Sequence, residues 1–333
     1  MPSNLSMNTS RGSFDRLSGA LQGPLQGIVV PMATPLTLDR ALDVASLERL
    51  VERLIAGGVH GLFVLGTTGE GPSLGGAVRR EVVQRVCRQA AGRTPVLVGV
   101  TDTALAESID LAGFAADKGA QATVLAPPCY FPIDQEDLFR CAEQLVSNSP
   151  LPLFLYNMPA LTKTWYEPAT VRRLLELPAI VGVKDSSGDL DYFSKMGALV
   201  SQRPECSLLI GPEHLLGASI GLGGRGGVCG GANIFPELFI ALYEAAAAGE
   251  SLSQHEDLVL KLGEIYRLGT NPVPAVIQGV KAALESQGFG SAELAEPFSA
   301  LPQSDRLLVQ TIVQSVELHL ATLLPNRLAK SSR

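Results

Sequence analysis

The stretch Ala179-Ile180-Val181-Gly182-Val183-Lys184 is a short apolar run that ends in a lysine. A run of this length, in which apolar and polar residues do not alternate, is typical of a parallel strand that is buried on both faces. Burial disfavours the charged form of a lysine, and a neutral amine is a nucleophile for carbonyl carbons. The alternative is a lysine that extends from the strand end into water. This stretch alone leaves both interpretations open.

Seven further apolar runs occur along the chain, separated by longer segments with helical periodicity. The eight predicted strands cover residues 27–33, 61–66, 95–100, 122–127, 152–157, 179–184, 207–211 and 227–232. Predicted helices between them cover residues 46–55, 79–91, 105–118, 135–147 and 167–175. Eight successive units of a strand followed by a helix predict an α/β fold, and specifically a (β/α)₈ TIM barrel. A doubly wound sheet is the alternative, but it usually has fewer strands and a glycine-rich first crossover.

The pattern divides the chain into three parts. Residues 1–24 are rich in Ser, Asn and Gly, which predicts a flexible tail. Residues 25–250 contain the predicted barrel. Residues 251–333 contain predicted helices at 254–268, 274–287 and 304–323, which we expect to form a C-terminal helical extension packed on the barrel.

Composition restricts the class of partner. The net charge is −7, and nucleic-acid or anionic membrane surfaces require clustered basic residues, so we expect neither partner. No apolar stretch is long enough to cross a bilayer, and the first residues lack the apolar core of a secretory signal. The five cysteines are scattered without a C-x-x-C pair, and the four histidines are dispersed. We therefore expect a cytoplasmic protein with reduced thiols and no metal site.

Polar residues follow the second predicted strand, in Gly66-Thr67-Thr68-Gly69-Glu70. In a barrel, the active site forms at the carboxyl ends of the strands. Glycines that expose backbone N–H groups, with two hydroxyls beside them, suit a small carboxylate or oxyanion. A plain turn in which a threonine caps the next helix explains the same residues equally well.

Three more strand ends have candidate functional groups. Tyr130 follows strand four and Tyr156 lies at the end of strand five, although a tyrosine at a core edge is more often structural. Lys184 is followed by Asp185-Ser186-Ser187-Gly188-Asp189, which suits a ligand-binding loop or a helix cap. Residues 221–226 match G-x-G-x-x-G, but a helix predicted at 213–220 precedes them and a strand follows. We therefore interpret these glycines as a tight turn and not as a nucleotide site.

The motifs Gly66-Thr67-Thr68-Gly69-Glu70, Tyr156-Asn157-x-Pro159 and Val183-Lys184-Asp185-Ser186-Ser187-Gly188-Asp189 occur in this order on successive units. Together they resemble the dihydrodipicolinate synthase / N-acetylneuraminate lyase family over most of the chain. The resemblance implies a class I pyruvate aldolase. It needs no cofactor besides the covalent imine that a lysine forms with the substrate, and the family's usual form is a homotetramer.

The resemblance also implies roles for individual residues. Lys184 matches the lysine that forms the Schiff base, and Tyr156 matches the tyrosine that shuttles protons. Thr67 matches the threonine of the same relay, and Thr68 matches the residue that holds the pyruvate carboxylate. Tyr130 matches a tyrosine that reaches into an adjacent subunit's site.

Four further positions match the pocket that holds pyruvate in the family. They are Gly66, Gly211, Val228 and Ser186. Gly211 and Val228 align with residues that line the pyruvate pocket, and Gly66 and Ser186 belong to the two loops beside it.

One position departs from the dihydrodipicolinate synthase pattern. Those enzymes have an arginine that grips the carboxylate of the second substrate, where this chain has Leu161. A carboxylate left unpaired there loses on the order of 1 to 3 kcal/mol. The pair Ala160-Leu161 resembles the lyases that cleave N-acetylneuraminate, whereas Thr67-Thr68 does not. Lys163 is a hypothetical replacement for the arginine.

The sequence therefore predicts a Schiff-base aldolase or lyase that acts on pyruvate, or on a 2-oxo acid that releases it, together with an aldehyde. Cleavage of sialic acid or of a 2-keto-3-deoxy sugar acid is the alternative within the class, with Glu213 and His214 as candidate polyol ligands. A metal-dependent aldolase and a barrel that binds a keto acid without turnover are the alternatives outside it.

Overall fold

Eight parallel strands form a closed barrel in the computed structural model, which describes residues 21, 23–269 and 272–325. Each strand pairs with the next one along the chain, and the last pairs with the first. The strands are β1 (Gly27–Pro31), β2 (Gly61–Val64), β3 (Val96–Gly99), β4 (Ala122–Leu125), β5 (Leu153–Asn157), β6 (Ile180–Asp185), β7 (Ser207–Ile210) and β8 (Gly226–Val228). The predicted (β/α)₈ barrel is confirmed, and all eight predicted strands are present.

Helices lie between the strands and after the last one. Those between strands are α1 (Val44–Ala56), α2 (Gly76–Ala90), α3 (Leu105–Asp117), α4 (Gln135–Asn148), α5 (Pro159–Thr162), α6 (Pro168–Leu174), α7 (Leu190–Val200) and α8 (Leu216–Gly221). Those after β8 are α9 (Pro236–Ala248), α10 (Ser253–Leu262), α11 (Pro272–Ser286) and α12 (Gln303–Leu323). The segment predicted as one helix at 254–268 ends as an α-helix at Leu262 and continues as a 3₁₀ helix over Gly263–Arg267.

Aspartates explain where several helices begin. Asp43 precedes α1 and accepts a hydrogen bond from the N–H of Ser46 at 3.0 Å. Asp134 and Asp189 cap α4 and α7 in the same way. Each satisfies backbone donors that have no partner within the helix, and such a cap stabilises a helix by about 1 kcal/mol.

Two apolar layers surround the barrel wall. Leu62 and Val64 of β2 point outward to the helices, whereas Phe63 points into the barrel. Successive side chains of a strand face opposite sides, so every strand contributes to both layers. The interior layer contains Leu25, Val29, Phe63, Leu97, Ala122, Val124, Ala126, Phe154, Tyr156, Leu209 and Val228.

The pairing of β5 with β6 contains an irregularity that matters for the site. Leu153 pairs with Ile180 but Phe154 pairs with Gly182, so Val181 is one extra residue in β6. A side chain on Gly182 would collide with the Phe154 ring, because its Cβ would lie 2.3 Å from a ring carbon. From there the register continues regularly and places Tyr156 opposite Lys184.

The eighth strand is shorter than predicted. It ends at Val228, and Gly230–Asn233 form a 3₁₀ helix where residues 229–232 were expected to be extended. The glycine-rich segment before it is a turn that follows α8, as interpreted from the sequence. Gly226 has a φ of 154°, and a Cβ there would lie 2.0 Å from the carbonyl oxygen of Gly27, so the close approach of β1 and β8 requires glycine.

The helices after β8 pack against the barrel helices and against one another, with α10 on α9 and α11 on α12. The boundary predicted at residue 250 stays a prediction. The predicted tail at 1–24 lies outside the described residues except for 21, 23 and 24. In the part of the chain that the structure describes, no helix combines the length and apolar character needed to cross a membrane.

Candidate active site

Lys184 lies inside the carboxyl end of the barrel. Its side chain is only 6% exposed, so the lysine does not extend into water. Its Nζ lies 3.8 Å from the centroid of the Tyr156 ring and 5.0 Å from that of Phe63. An amine in contact with two aromatic faces is held by them and partly desolvated. The burial predicted for this strand-end lysine is confirmed.

Tyr156 is buried beside Lys184, and its phenol is linked to the strand-two loop. The hydroxyls of Tyr156 and Thr67 lie 3.3 Å apart. Burial raises the pKa of Tyr156, but the charge of Lys184 and hydrogen bonds with Thr67, Ser186 and Lys184 outweigh burial and lower the pKa below its usual value. The structure thus joins an amine, a phenol and an alcohol from three strand ends.

The loop after β2 does not cap a helix. Helix α2 begins after Gly75, well beyond the threonines, so the capping interpretation is wrong. Thr68 is buried, and no described residue accepts a hydrogen bond from the N–H groups of Thr67, Thr68 or Gly69. These donors beside the Tyr156 phenol suit a carboxylate.

Close packing of the backbone requires the glycines of this loop. A Cβ on Gly69 would lie 2.7 Å from the carbonyl oxygen of Met32, and one on Gly71 would lie 2.1 Å from that of Leu65. Gly66 similarly leaves room for the Phe63 ring. Any side chain at these positions would displace the loop or the aromatic wall beside Lys184.

Glu70 has a structural partner far along the chain. Its carboxylate accepts hydrogen bonds from Nζ of Lys281 in α11 and from the N–H of Ala295, each at 2.7 Å. Sequence reasoning missed this pair. The two residues are 211 positions apart, so no local pattern could have identified it.

Ser186, Gly211 and Val228 lie at the carboxyl ends of β6, β7 and β8, and their predicted role in binding pyruvate stays a prediction. A Cβ on Gly211 would lie 1.9 Å from the Ser186 hydroxyl, so that hydroxyl needs a glycine opposite it. Val228 belongs to the interior layer that also contains Tyr156.

The other polar residues after Lys184 stabilise the loop through hydrogen bonds. Asp185 accepts hydrogen bonds from Nδ2 of Asn157 at 2.8 Å and from the N–H and hydroxyl of Ser187 at 3.1 and 2.9 Å. Burial raises the pKa of Asp185, although these hydrogen bonds oppose the shift. Asp189 caps α7. Only Ser186 of this group is turned toward the phenol of Tyr156.

A cavity of about 290 Å³ opens above the phenol and the strand-two loop. Leu161 lines it, at the place where the resemblance indicated the second substrate. Two residues from the region of the C-terminal helices line it as well, Ile277 and Phe298. Sequence reasoning missed both, because helical periodicity does not reveal which apolar residue of a helix borders a distant pocket. The remaining lining residues are Phe63, Leu65, Gly66, Thr67, Glu70, Pro72, Ser73, Gly99, Thr101, Val124, Ala126, Pro127, Cys129, Tyr156, Met158 and Thr162.

Two predicted groups lie apart from this cavity in the single chain. Tyr130 is 77% exposed and packs edge-to-face on Phe131, with ring centroids 5.0 Å apart. It is absent from the cavity lining, so its predicted role in an adjacent subunit stays a prediction. Lys163 is exposed, and its Nζ donates to the carbonyl of Ala160 at 2.7 Å. That geometry does not support Lys163 as a replacement for the arginine.

The candidate polyol ligands, Glu213 and His214, do not line this cavity. Glu213 is buried, and its two oxygens accept hydrogen bonds from the N–H of Gly231 at 2.8 Å and the hydroxyl of Tyr266 at 2.9 Å. Burial raises its pKa, and these bonds oppose the shift. His214 is exposed. Among the described residues, no three acidic, His or Cys side chains lie close enough together to hold a metal ion.

Comparisons with known proteins agree with this geometry. A model of the dihydrodipicolinate synthetase family matches residues 24–316. The 4-hydroxy-tetrahydrodipicolinate synthase of Thermomicrobium roseum is 35% identical over 289 residues, which are 86% of this chain and 93% of that protein. The corresponding enzyme of Methanopyrus kandleri is 33% identical over 270 residues, covering 80% of this chain and 87% of that protein.

Solved structures are similar over nearly the same span. Dihydrodipicolinate synthase from Bacteroides thetaiotaomicron has a TM-score of 0.84 and 45% identity, covering 89% of this chain and 100% of that one. A prophage protein of the same family from E. coli K12, solved with pyruvate, has a TM-score of 0.83 and 29% identity, covering 88% and 99%. The protein is therefore a lyase of the aldolase type, and the chain belongs to the dihydrodipicolinate synthetase family.

Proposed function

We propose that the protein is a class I pyruvate-dependent aldolase in which Lys184 forms an imine with the substrate. The relationship that supports this most directly is the pairing of Lys184 with Tyr156 at adjacent strand ends. It sets an amine 3.8 Å from the centroid of a phenol ring at the base of a cavity. The pyruvate complex of the E. coli relative supports the choice of substrate.

The reaction begins with attack of the Lys184 amine on the ketone carbon of pyruvate. The carbinolamine that results loses water and becomes an imine. The imine withdraws electrons from the neighbouring methyl group, which loses a proton and leaves an enamine. The enamine carbon attacks an aldehyde and forms the new carbon–carbon bond. Water then hydrolyses the imine, which releases a 4-hydroxy-2-oxo acid and restores the amine; cleavage is the reverse.

Each step moves a proton, and Tyr156 is the group in position to move it. A phenol can donate to the departing hydroxyl and to the aldol oxygen, and as a phenolate it can accept. Thr67, 3.3 Å away, is the next group in the relay. The exposed Tyr130 would continue the relay in an adjacent subunit, which is why we propose a homotetramer.

The strand-two loop is proposed to hold the pyruvate carboxylate. The N–H groups of Thr67 and Thr68 and the Thr68 hydroxyl are donors, and hydrogen bonds to a carboxylate are stronger than those between neutral groups. Fixing the carboxylate orients the ketone carbon toward Lys184. The reaction requires no cofactor beyond the covalent imine.

Borohydride reduction in the presence of pyruvate tests the proposal. The imine would be reduced to a stable secondary amine, which intact mass and peptide mapping locate on Lys184. Lys184→Ala should give no adduct, whereas the control Lys195→Ala, at an exposed lysine of α7, should be labelled as the wild type is. Absence of an adduct in the wild type, or an adduct that persists in Lys184→Ala, contradicts the mechanism.

A further inference from the structure

We infer that the second substrate is a small aldehyde with an uncharged, apolar body. The inference rests on the proposed function, because it concerns the partner of the pyruvate enamine. It follows from the residues that line the cavity above Lys184. They offer no cation to a carboxylated aldehyde and few hydrogen-bond partners to a sugar.

The outer wall of the cavity is apolar. Leu161 and Met158 line it from the end of β5, Pro127 from the end of β4, and Ile277 and Phe298 from the C-terminal part of the chain. These five apolar side chains from four segments surround the place where an aldehyde would approach the enamine. Such a wall favours binding of an apolar group, because binding removes apolar surface from water.

No cation is available to a carboxylated aldehyde in this wall. No Lys, Arg or His is among the described residues that line the cavity, and Lys184 lies behind the ring of Tyr156, which does line it. Glu70 is the one carboxylate there, and its charge is already balanced by Lys281. Lys163 donates to its own turn. A carboxylate on the aldehyde would lose its hydration without gaining a partner.

The hydroxyls in the wall are mostly occupied. Thr101 accepts a hydrogen bond from the N–H of Ala126 at 2.8 Å, and Thr162 donates to the carbonyl of Met158 at 3.1 Å. Thr67 is engaged with Tyr156. A polyol chain needs a partner for each hydroxyl, and this wall supplies few. The cavity, at about 290 Å³, is at the small end of ligand pockets, so a short or single-ring aldehyde suits it.

Competition among aldehydes of similar size tests the inference. With pyruvate in excess, kcat/KM is measured for benzaldehyde, for succinic semialdehyde and for erythrose. We expect the apolar aldehyde to exceed the other two by about 100-fold, the scale on which unpaired polar groups are rejected by an apolar pocket. An advantage for the carboxylated aldehyde or the sugar, or imine formation without turnover of benzaldehyde, overturns the inference.

A substitution at Leu161 makes the test specific. Leu161→Arg should raise kcat/KM for succinic semialdehyde about tenfold or more, since it supplies the missing cation. Leu161→Met has nearly the same volume and no charge, and it should retain the preference for benzaldehyde. An unchanged preference in Leu161→Arg contradicts the assignment of this wall to the aldehyde.

The borohydride adduct on Lys184 is measured in the same samples. If no adduct forms in the wild type, the proposed function fails and the aldehyde question does not arise. If the adduct forms normally but the carboxylated aldehyde is preferred, the inference fails and the proposed function stands.

Discussion

Glu70 and Lys281 form an ion pair that is sealed from water, with 2.7 Å between the charged atoms and each side chain only 1% exposed. Burial lowers the pKa of Lys281, and the charge of Glu70 opposes that shift. The pair ties the loop that contains Thr67 and Thr68 to helix α11. A buried pair contributes little net stability, since desolvation offsets the attraction, but it restricts which arrangement the loop can adopt. The C-terminal helices therefore position the proposed carboxylate site.

Removing one member of this pair should destabilise the folded protein. Lys281→Met leaves Glu70 buried without a counter-charge, and we expect the free energy of unfolding to fall by about 3–5 kcal/mol, measured by urea denaturation. Lys261→Met, which breaks an exposed pair with Glu264, should change it by less than about 1 kcal/mol.

The double variant Glu70→Gln/Lys281→Met separates charge from packing. It removes both charges, so it should recover much of the stability lost in Lys281→Met. Equal stability of the single and double variants would show that the unpaired carboxylate is not the cause.

Tyr156→Phe retains the aromatic ring beside Lys184 but removes the hydroxyl. Because general acid–base catalysis contributes about 10²- to 10⁴-fold, kcat should fall by that order, while the borohydride adduct still forms on prolonged incubation. Tyr243→Phe, at a tyrosine packed on His60 away from the cavity, should leave kcat unchanged. A wild-type kcat in Tyr156→Phe would remove Tyr156 from the mechanism.

The hydrogen bond between Thr67 and Tyr156 should affect the ionisation of Tyr156. Since Lys184 and the neighbouring hydroxyls lower the pKa of Tyr156, the phenol should ionise below its usual value near 10. Thr67→Val removes one of these hydrogen bonds and should move the ionisation to higher pH. The ionisation of Tyr156 is measured from tyrosinate absorbance during a pH titration, after subtraction of the absorbance of the Tyr156→Phe variant. A shift to lower pH in Thr67→Val would contradict the geometry.

Glu213 should make stability depend on pH. Burial raises its pKa in the folded protein above the unfolded value of about 4.3. The folded state therefore binds more protons between the two values. The stabilisation is fully present below the unfolded pKa, and it is lost as the pH rises through the folded pKa.

Glu213→Gln removes this titration and keeps an acceptor for Gly231 or Tyr266. The unfolding free energy of the variant minus that of the wild type should therefore increase as the pH rises above about 4.3, until the folded pKa is passed. Urea denaturation at a series of pH values measures the difference. A difference that is constant with pH would show that Glu213 does not titrate differently in the two states.

The strand that ends in Lys184 and the loop from Gly66 to Glu70 were identifiable because each is a local pattern, an apolar run or a cluster of glycines and hydroxyls. The threonines remained ambiguous, because a helix cap and an anion site use the same residue types. The position of α2 after Gly75 excludes the helix cap, and the anion site stays a proposal.

The amino-acid sequence by itself determined the barrel and the order of its motifs, because strand burial and helix periodicity follow from the spacing of apolar residues along the chain. Only the tertiary structure decided the bulge at Val181 that sets Tyr156 opposite Lys184, and the pairing of Glu70 with Lys281 across 211 residues. It also decided that Ile277 and Phe298 border the cavity. Such contacts depend on how elements pack in space, and no spacing along a single chain specifies which distant side chains meet.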